Sequence, residues 1–135
     1  MMKNILLVDD DRVNNFLSEK VLEQLGLVHG IRTALNGEEA LDLFNGYYME
    51  GSNLLPDIIL LDLNMPIMDG FGFLTEFEKL DFPDKEKVNV IIVTSSYDPR
   101  DIERARELGV RHYLAKPLEP EGLLAVLNEL DENNL

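Results

Sequence analysis

Four apolar residues in a row, Ile58, Ile59, Leu60 and Leu61, stop at a carboxylate, Asp62, and the breakers Pro66 and Asp69-Gly70 follow. An unbroken apolar run of about four to eight residues reads as a strand covered on both faces, the pattern of a central strand in a parallel sheet. Asp62 therefore stands at the carboxyl end of that strand, on the edge where ligands bind in open α/β sheets. The breakers wrap a turn around it. Taken alone, the segment leaves Asp62 as either a cap or a ligand group.

The same shape recurs along the chain. Ile5 to Val8 ends at Asp9, Asp10 and Asp11; Val88 and Val90 to Val93 end at Thr94-Ser95-Ser96; His112 to Ala115 ends at Lys116-Pro117. A shorter run at Ile31, Thr33 and Ala34, broken by Asn36-Gly37, is a second strand. Helical spacing fills the intervals. Val13, Phe16, Leu17, Val21, Leu22 and Leu25 follow an Asp cap and close at Gly26. Asn36 and Glu39 resemble a capping box ahead of Ala40, Leu41, Leu43 and Phe44. This second helix either stops near Asn45 or runs on through Tyr47 and Tyr48, which read as packing under the connection 46–56 in preference to forming a contact patch. Asp69-Gly70 opens a third helix with Phe71, Phe73, Leu74, Phe77 and Leu80 on its apolar side, and a polar connection, Asp81 to Lys87, follows. Asp98-Pro99 opens a fourth over Ile102, Ala105 and Leu108, closed by Gly109. Pro120 opens the last, over Leu123, Leu124, Val126, Leu127 and Leu130, and the chain from Asp131 to Leu135 reads as frayed. Five strands alternating with five helices, joined by right-handed crossovers, make an α/β doubly wound parallel sheet, with the flavodoxin-like order 2-1-3-4-5.

Composition narrows the function. The 135 residues suit one domain, 1–135, without a linker. With 26 acidic and 12 basic residues the net charge is −14, which repels nucleic-acid phosphates and anionic lipid alike. No apolar run approaches the roughly 18 residues of a membrane span, and Ile5 to Val8 is too short for a signal peptide, so a cytoplasmic protein is expected. Absence of cysteine removes disulfides, thiol catalysis and thiolate metal sites. His29 and His112 lack ligand-like neighbours.

In the expected strand order, Asp9, Asp10, Asp62, Thr94 and Lys116 line one cleft. Strands one and four flank strand three at about 5 Å and strand five lies about 10 Å away, a gap that a lysine crosses. Three converging carboxylates repel one another, and a hard divalent cation resolves the conflict. Magnesium fits, since it takes oxygen ligands and commonly one or two carboxylates plus phosphate oxygens. The cation would orient a phosphoryl group for attack by Asp62, giving an aspartyl-phosphate. Lys116 would hold a phosphate oxygen and Thr94 would donate a hydroxyl hydrogen bond. Each residue singly also reads as a cap or a solvated charge. Four strand ends supplying acid, acid, hydroxyl and amine at one edge exceed what capping explains.

These residues carry a resemblance. Leu6-Leu7-Val8-Asp9-Asp10, Asp62-Leu63-Asn64-Met65-Pro66 with Met68-Asp69-Gly70, Val93-Thr94-Ser95 and Tyr113-Leu114-Ala115-Lys116-Pro117 resemble, in order and spacing, a response-regulator receiver domain of two-component signalling. The resemblance implies that Asp62 accepts a phosphoryl group from a phosphohistidine on a sensor histidine kinase or phosphotransfer protein. It further implies that Asp10, Asp62 and the main-chain carbonyl of Asn64 bind Mg2+, with Asp9 acting through water. Thr94 and Tyr113 match the pair that moves inward on activation, and Lys116-Pro117 matches a peptide that is cis in the family. A downstream protein partner would read helix four, strand five and helix five. The connections 46–56 and 81–87 look long and resemble those of stand-alone receivers, and no output domain is expected after helix five.

Rival readings remain. A magnesium-dependent phosphohydrolase that also forms an aspartyl-phosphate usually carries a second Asp two residues after its nucleophile, where this chain has Asn64, and so lacks that general acid. A receiver excised from a hybrid histidine kinase would carry the same motifs. An interaction-only pseudo-receiver would be expected to lose the acidic and lysine positions, and none is lost here. The expectation is a phosphoacceptor switch, not an enzyme with turnover on other substrates.

Overall fold

The runs of isoleucine, leucine and valine form the strands because each such run finds apolar cover on both faces. A computed structural model describes residues 3–50 and 55–133. Its elements are β1 (Lys3–Val8), α1 (Arg12–Leu25), β2 (Val28–Ala34), α2 (Gly37–Glu50), β3 (Ile58–Leu61), α3 (Gly70–Lys79), β4 (Asn89–Thr94), α4 (Pro99–Glu107), β5 (His112–Ala115) and α5 (Pro120–Asn133). The five strands are parallel in the order β2-β1-β3-β4-β5, the doubly wound flavodoxin-like arrangement expected.

Alternate residues of each strand enter different cores. Leu6, Val8, Ile59, Leu61 and Ile92 pack with Phe44, Phe71, Phe73, Leu74 and Phe77 beneath α2 and α3. Ile5, Leu7, Ile58, Leu60, Ile91 and Val93 pack with Leu22, Leu123, Val126, Leu127 and Leu130 beneath α1 and α5. Each fully buried aliphatic side chain contributes about 1.5–3 kcal/mol, so the three central strands anchor the molecule.

The caps act as the composition predicts. The Asp11 carboxylate accepts from the backbone N–H of Val13 and Asn14, and Gly26 closes α1 at φ 68°. Asp69 caps α3, and Asp98 with Pro99 opens α4. The capping box of α2 is half reciprocal: Asn36 accepts from the Glu39 N–H at 2.9 Å, while Glu39 accepts from the N–H of Leu35, not Asn36, at 3.1 Å.

Several expectations are corrected. β2 begins at Val28, earlier than the apolar run, because an edge strand tolerates His29, Arg32 and Thr33 at its exposed positions. The backbone of α2 continues through Glu50; the side chains of Tyr47 and Tyr48 and the residues 51–54 lie outside the described set. The connection after α3 is not merely polar: Phe82 packs on Phe44 and Phe77 at centroid distances of 5.7 and 6.1 Å. Lys85 beside it donates to the carbonyls of Glu78 and Leu80 at the end of α3. Where fraying was expected from Asp131 onward, α5 continues to Asn133 and Asp131 is tied to Lys3 at 2.8 Å; Asn134 and Leu135 lie outside the described residues.

The largest correction concerns α1. Its buried residues are Asn15, Ser18 and Leu22, while Val13, Phe16 and Leu17 are 67%, 54% and 53% exposed. The rotation of the helix is set by a polar anchor, since the Asn15 amide donates to the main-chain carbonyl of Asp9 at 2.9 Å. The buried Asp9 carbonyl is thereby satisfied, where leaving it unpaired would cost about 1–3 kcal/mol, and Val13, Phe16 and Leu17 fall on the outer face of the helix.

Candidate functional site

The sheet ladder runs one residue past three strands and thereby places the side chains of the site. The N–H of Asp9 donates to the Ala34 carbonyl at 3.0 Å, that of Asp62 to the Val8 carbonyl at 2.9 Å and that of Lys116 to the Thr94 carbonyl at 3.0 Å. Each functional residue is thus the first after its strand, fixed by the neighbouring strand. Thr94 ends β4 and is fully buried at 0% exposure.

Asp9, Asp10 and Asp62 come together, each offering an oxygen within 4.8 Å of the others. Asp9 and Asp62 are buried, at 5% and 6% exposure, and Asp10 is exposed. The Lys116 ammonium bridges the buried pair, at 2.7 Å from Oδ2 of Asp9 and 3.0 Å from Oδ2 of Asp62. Burial acts to lower the pKa of this lysine, but the hydrogen bonds and charges of Asp9 and Asp62 outweigh it and hold the ammonium above the ordinary value. Oδ1 of Asp62 is buried and has no hydrogen-bond partner among the described residues. A buried carboxylate oxygen unpaired among the described residues, beside two more carboxylates and grouped with no histidine or cysteine there, suits a small hard cation and a phosphoryl group.

A second layer surrounds the carboxylates. The Thr94 hydroxyl accepts from the Ser96 N–H at 3.4 Å, and the Ser96 hydroxyl donates to Asp101 at 2.8 Å. Tyr113 is half-buried, and its hydroxyl donates to the Ser96 carbonyl at 3.0 Å. Burial raises the Tyr113 pKa above the ordinary phenol value, against the opposing hydrogen bond to Ser96 and with help from Asp101, Asp62 and Asp98. The Lys116-Pro117 peptide is cis. Asn64 is exposed in the connection between β3 and α3. In the same connection Ile67 has φ 69°, a left-handed conformation that costs a β-branched residue on the order of 1–3 kcal/mol. The turn is pinned by the N–H of Gly37, which donates to the Met68 carbonyl at 2.8 Å.

Sequence reasoning missed the asparagines of α1. The Asn14 amide donates to Oδ2 of Asp9 at 2.6 Å, and the Asp11 N–H donates to Oδ1 at 3.0 Å. Apolar periodicity assigns such positions to solvent. Two adjacent carboxamides in the first turn, just after a run of carboxylates, were the available signal.

Comparison with known proteins agrees with this geometry. A family model described as response regulator receiver domain matches residues 5–128. The chain is 32% identical over 128 residues to the probable methanogenesis regulatory protein FilR2 of Methanothrix harundinacea, covering 95% of this chain and 81% of that protein. It is 32% identical over 130 residues to the probable transcriptional regulator ycf29 of Porphyra purpurea, covering 96% of this chain but 57% of that protein. A solved two-component response regulator from Cytophaga hutchinsonii superposes with a TM-score of 0.86 at 30% identity, covering 98% of this chain and 99% of that one. From β1 to the last helix, the chain belongs to the response-regulator receiver-domain family of two-component signalling.

Proposed function

We propose that this receiver is a phosphorylation-dependent switch in which Asp62 accepts a phosphoryl group from a phosphohistidine on a sensor histidine kinase or a phosphotransfer protein. One observation carries the reading: Lys116 holds one oxygen of Asp62, while the other is buried and has no partner among the described residues. A carboxylate oxygen of Asp62 forms the new O–P bond as the P–N bond breaks. The donor imidazole keeps the electron pair and regains its neutral form by taking up a proton. Lys116 moves from carboxylate to a phosphoryl oxygen, and the Thr94 hydroxyl donates to another. Asp10, Asp62 and the main-chain carbonyl of Asn64 would hold Mg2+, with Asp9 acting through water, and the ion would supply charge neutralisation and orientation. No other substrate turns over; the chain at most catalyses its own phosphorylation and dephosphorylation.

The readout follows from the weak mooring of α4. Among the described residues α4 buries only Ala105, and it is further tied by the Ser96 hydroxyl to Asp101 and by the Arg104 guanidinium over the Phe71 ring at 4.2 Å. Drawing the Thr94 hydroxyl toward a phosphate disturbs the Ser96 loop that Tyr113 grips, and a downstream protein partner selects the resulting arrangement of α4, β5 and α5. The donor's docking surface has support of its own: Val13, Phe16, Leu17, Ile67 and Tyr97 are all exposed on α1 or on loops at the carboxylate edge. Incubation with magnesium and a small phosphodonor, followed by intact mass, tests the reading. A phosphoryl adduct is expected and is absent from Asp62→Asn; no adduct, or one that persists in that variant, rejects it.

A further inference from the structure

Asp9 and Asp10 are neighbours of identical chemistry, yet their surroundings differ. Asp9 is surrounded by donors. Its Oδ2 accepts from the Asn14 amide at 2.6 Å and lies 2.7 Å from the Lys116 ammonium, and its Oδ1 accepts from the Asp11 N–H at 3.0 Å. Its main-chain carbonyl accepts from Asn15 at 2.9 Å. Asp10 is exposed, and its carboxylate has no hydrogen bond or ion pair among the described residues. Asn14 itself is rigidly placed: it is the third residue of α1, with its backbone N–H capped by Asp11 at 3.2 Å. Its amide is neutral, so it satisfies the Asp9 carboxylate without adding a charge that would repel a cation.

We propose that Asn14 is a positioning residue of the phosphoryl-transfer site: its amide turns the Asp9 carboxylate onto Lys116, so that Asp10 and Asp62 present the carboxylate oxygens to the cation. This inference rests on the reading of the site as a magnesium-dependent phosphoacceptor. Groups that orient ligands from behind typically change metal affinity or activity by about 10- to 100-fold when removed. Without the Asn14 amide, Asp9 keeps Lys116 as its one side-chain partner and gains freedom to swing into the cation's place. Two adjacent carboxylates then compete, and Lys116 no longer spans Asp9 and Asp62 in one geometry.

The test compares the full chain with Asn14→Leu, which keeps the size and removes the donor, and Asn14→Gln, which restores an amide. Three quantities are measured: magnesium affinity by calorimetry, the phosphorylation rate at saturating magnesium with a small phosphodonor, and the melting temperature without metal. Asn14→Leu is expected to bind magnesium about tenfold more weakly and to phosphorylate more slowly even at saturation. Its melting temperature stays within about 3 °C of wild type, since the side chain is only half-buried and leucine suits a helix. Asn14→Gln recovers most of the affinity. Unchanged affinity and rate in Asn14→Leu, whatever its melting temperature, overturn the proposal, as does failure of Asn14→Gln to recover affinity that Asn14→Leu has lost. Failure of the wild-type chain to bind magnesium or to take up phosphoryl on Asp62 would instead reject the reading of the site itself, which the wild-type and Asp62→Asn arms detect separately.

Discussion

Lys116, just after β5, and Tyr113, within it, show how single residues carry chemistry from environment alone. The lysine spans two buried carboxylates, which is why Asp9 and Asp62 can sit side by side at all. The tyrosine is held in its neutral form, with burial as the main cause of its raised pKa. Because the folded-state pKa lies above the unfolded value, near 10.0, the proton on Tyr113 favours the folded state fully below that pH, and the contribution is lost as pH rises through the folded pKa. Absorbance titration of tyrosinate should show a component ionising above the ordinary range, and Tyr113→Phe should remove it. A late component surviving in Tyr113→Phe would assign it elsewhere.

Among the elements, α1 and α3 are placed by contacts that no helical pattern reports. The outward rotation of Val13, Phe16 and Leu17 yields a testable split between chemistry and docking. Phe16→Glu is expected to change stability by no more than about 0.5 kcal/mol. It should slow transfer from a phosphohistidine protein by about tenfold or more and leave the small phosphodonor unaffected. Equal slowing with both donors would tie Phe16 to the site rather than to docking. Helix α3 approaches the Asp62 backbone more closely than any side chain permits: a Cβ on Gly70 would lie 2.5 Å from the Asp62 carbonyl and 2.9 Å from Cα of Leu63. Both neighbours are backbone and cannot yield cheaply. Gly70→Ala is therefore expected to destabilise the fold by about 1–3 kcal/mol, read as a lower urea midpoint. An unchanged midpoint would mean that α3 slides without cost.

For the whole molecule, a net charge of −14 means that any cation screens self-repulsion, so site binding must be separated from ionic strength. A ligand of the folded state at about a hundred times its dissociation constant stabilises it by about 2.7 kcal/mol, the size of effect expected of magnesium at the proposed site. The melting temperature should rise with magnesium well beyond its rise in sodium chloride of equal ionic strength. The excess should vanish in Asp10→Asn; if it survives there, the ion stabilises the chain by screening or at another place. The limits of sequence reading are set by the same contrast between local and distant causes. Unbroken apolar runs report cover on both faces, and each run's end is a local property, so five strands, their order and the convergence of Asp9, Asp10, Asp62, Thr94 and Lys116 were legible from Ile5 onward. The rotation of α1 was legible only in part: Val21, Leu22 and Leu25 face the core as their spacing predicts, whereas at the helix start Asn15, bonded to the Asp9 carbonyl, takes the inner position and Val13, Phe16 and Leu17 are left outside. Nor was the role of Phe82, whose burial depends on Phe44 and Phe77 arriving from two other helices. The sequence by itself determined which chemical groups stand at the edge of the sheet. Tertiary structure alone decided that Lys116 joins Asp9 to Asp62 and that Asn14 occupies Asp9, because those partners meet only once strands and helices distant in the chain have packed.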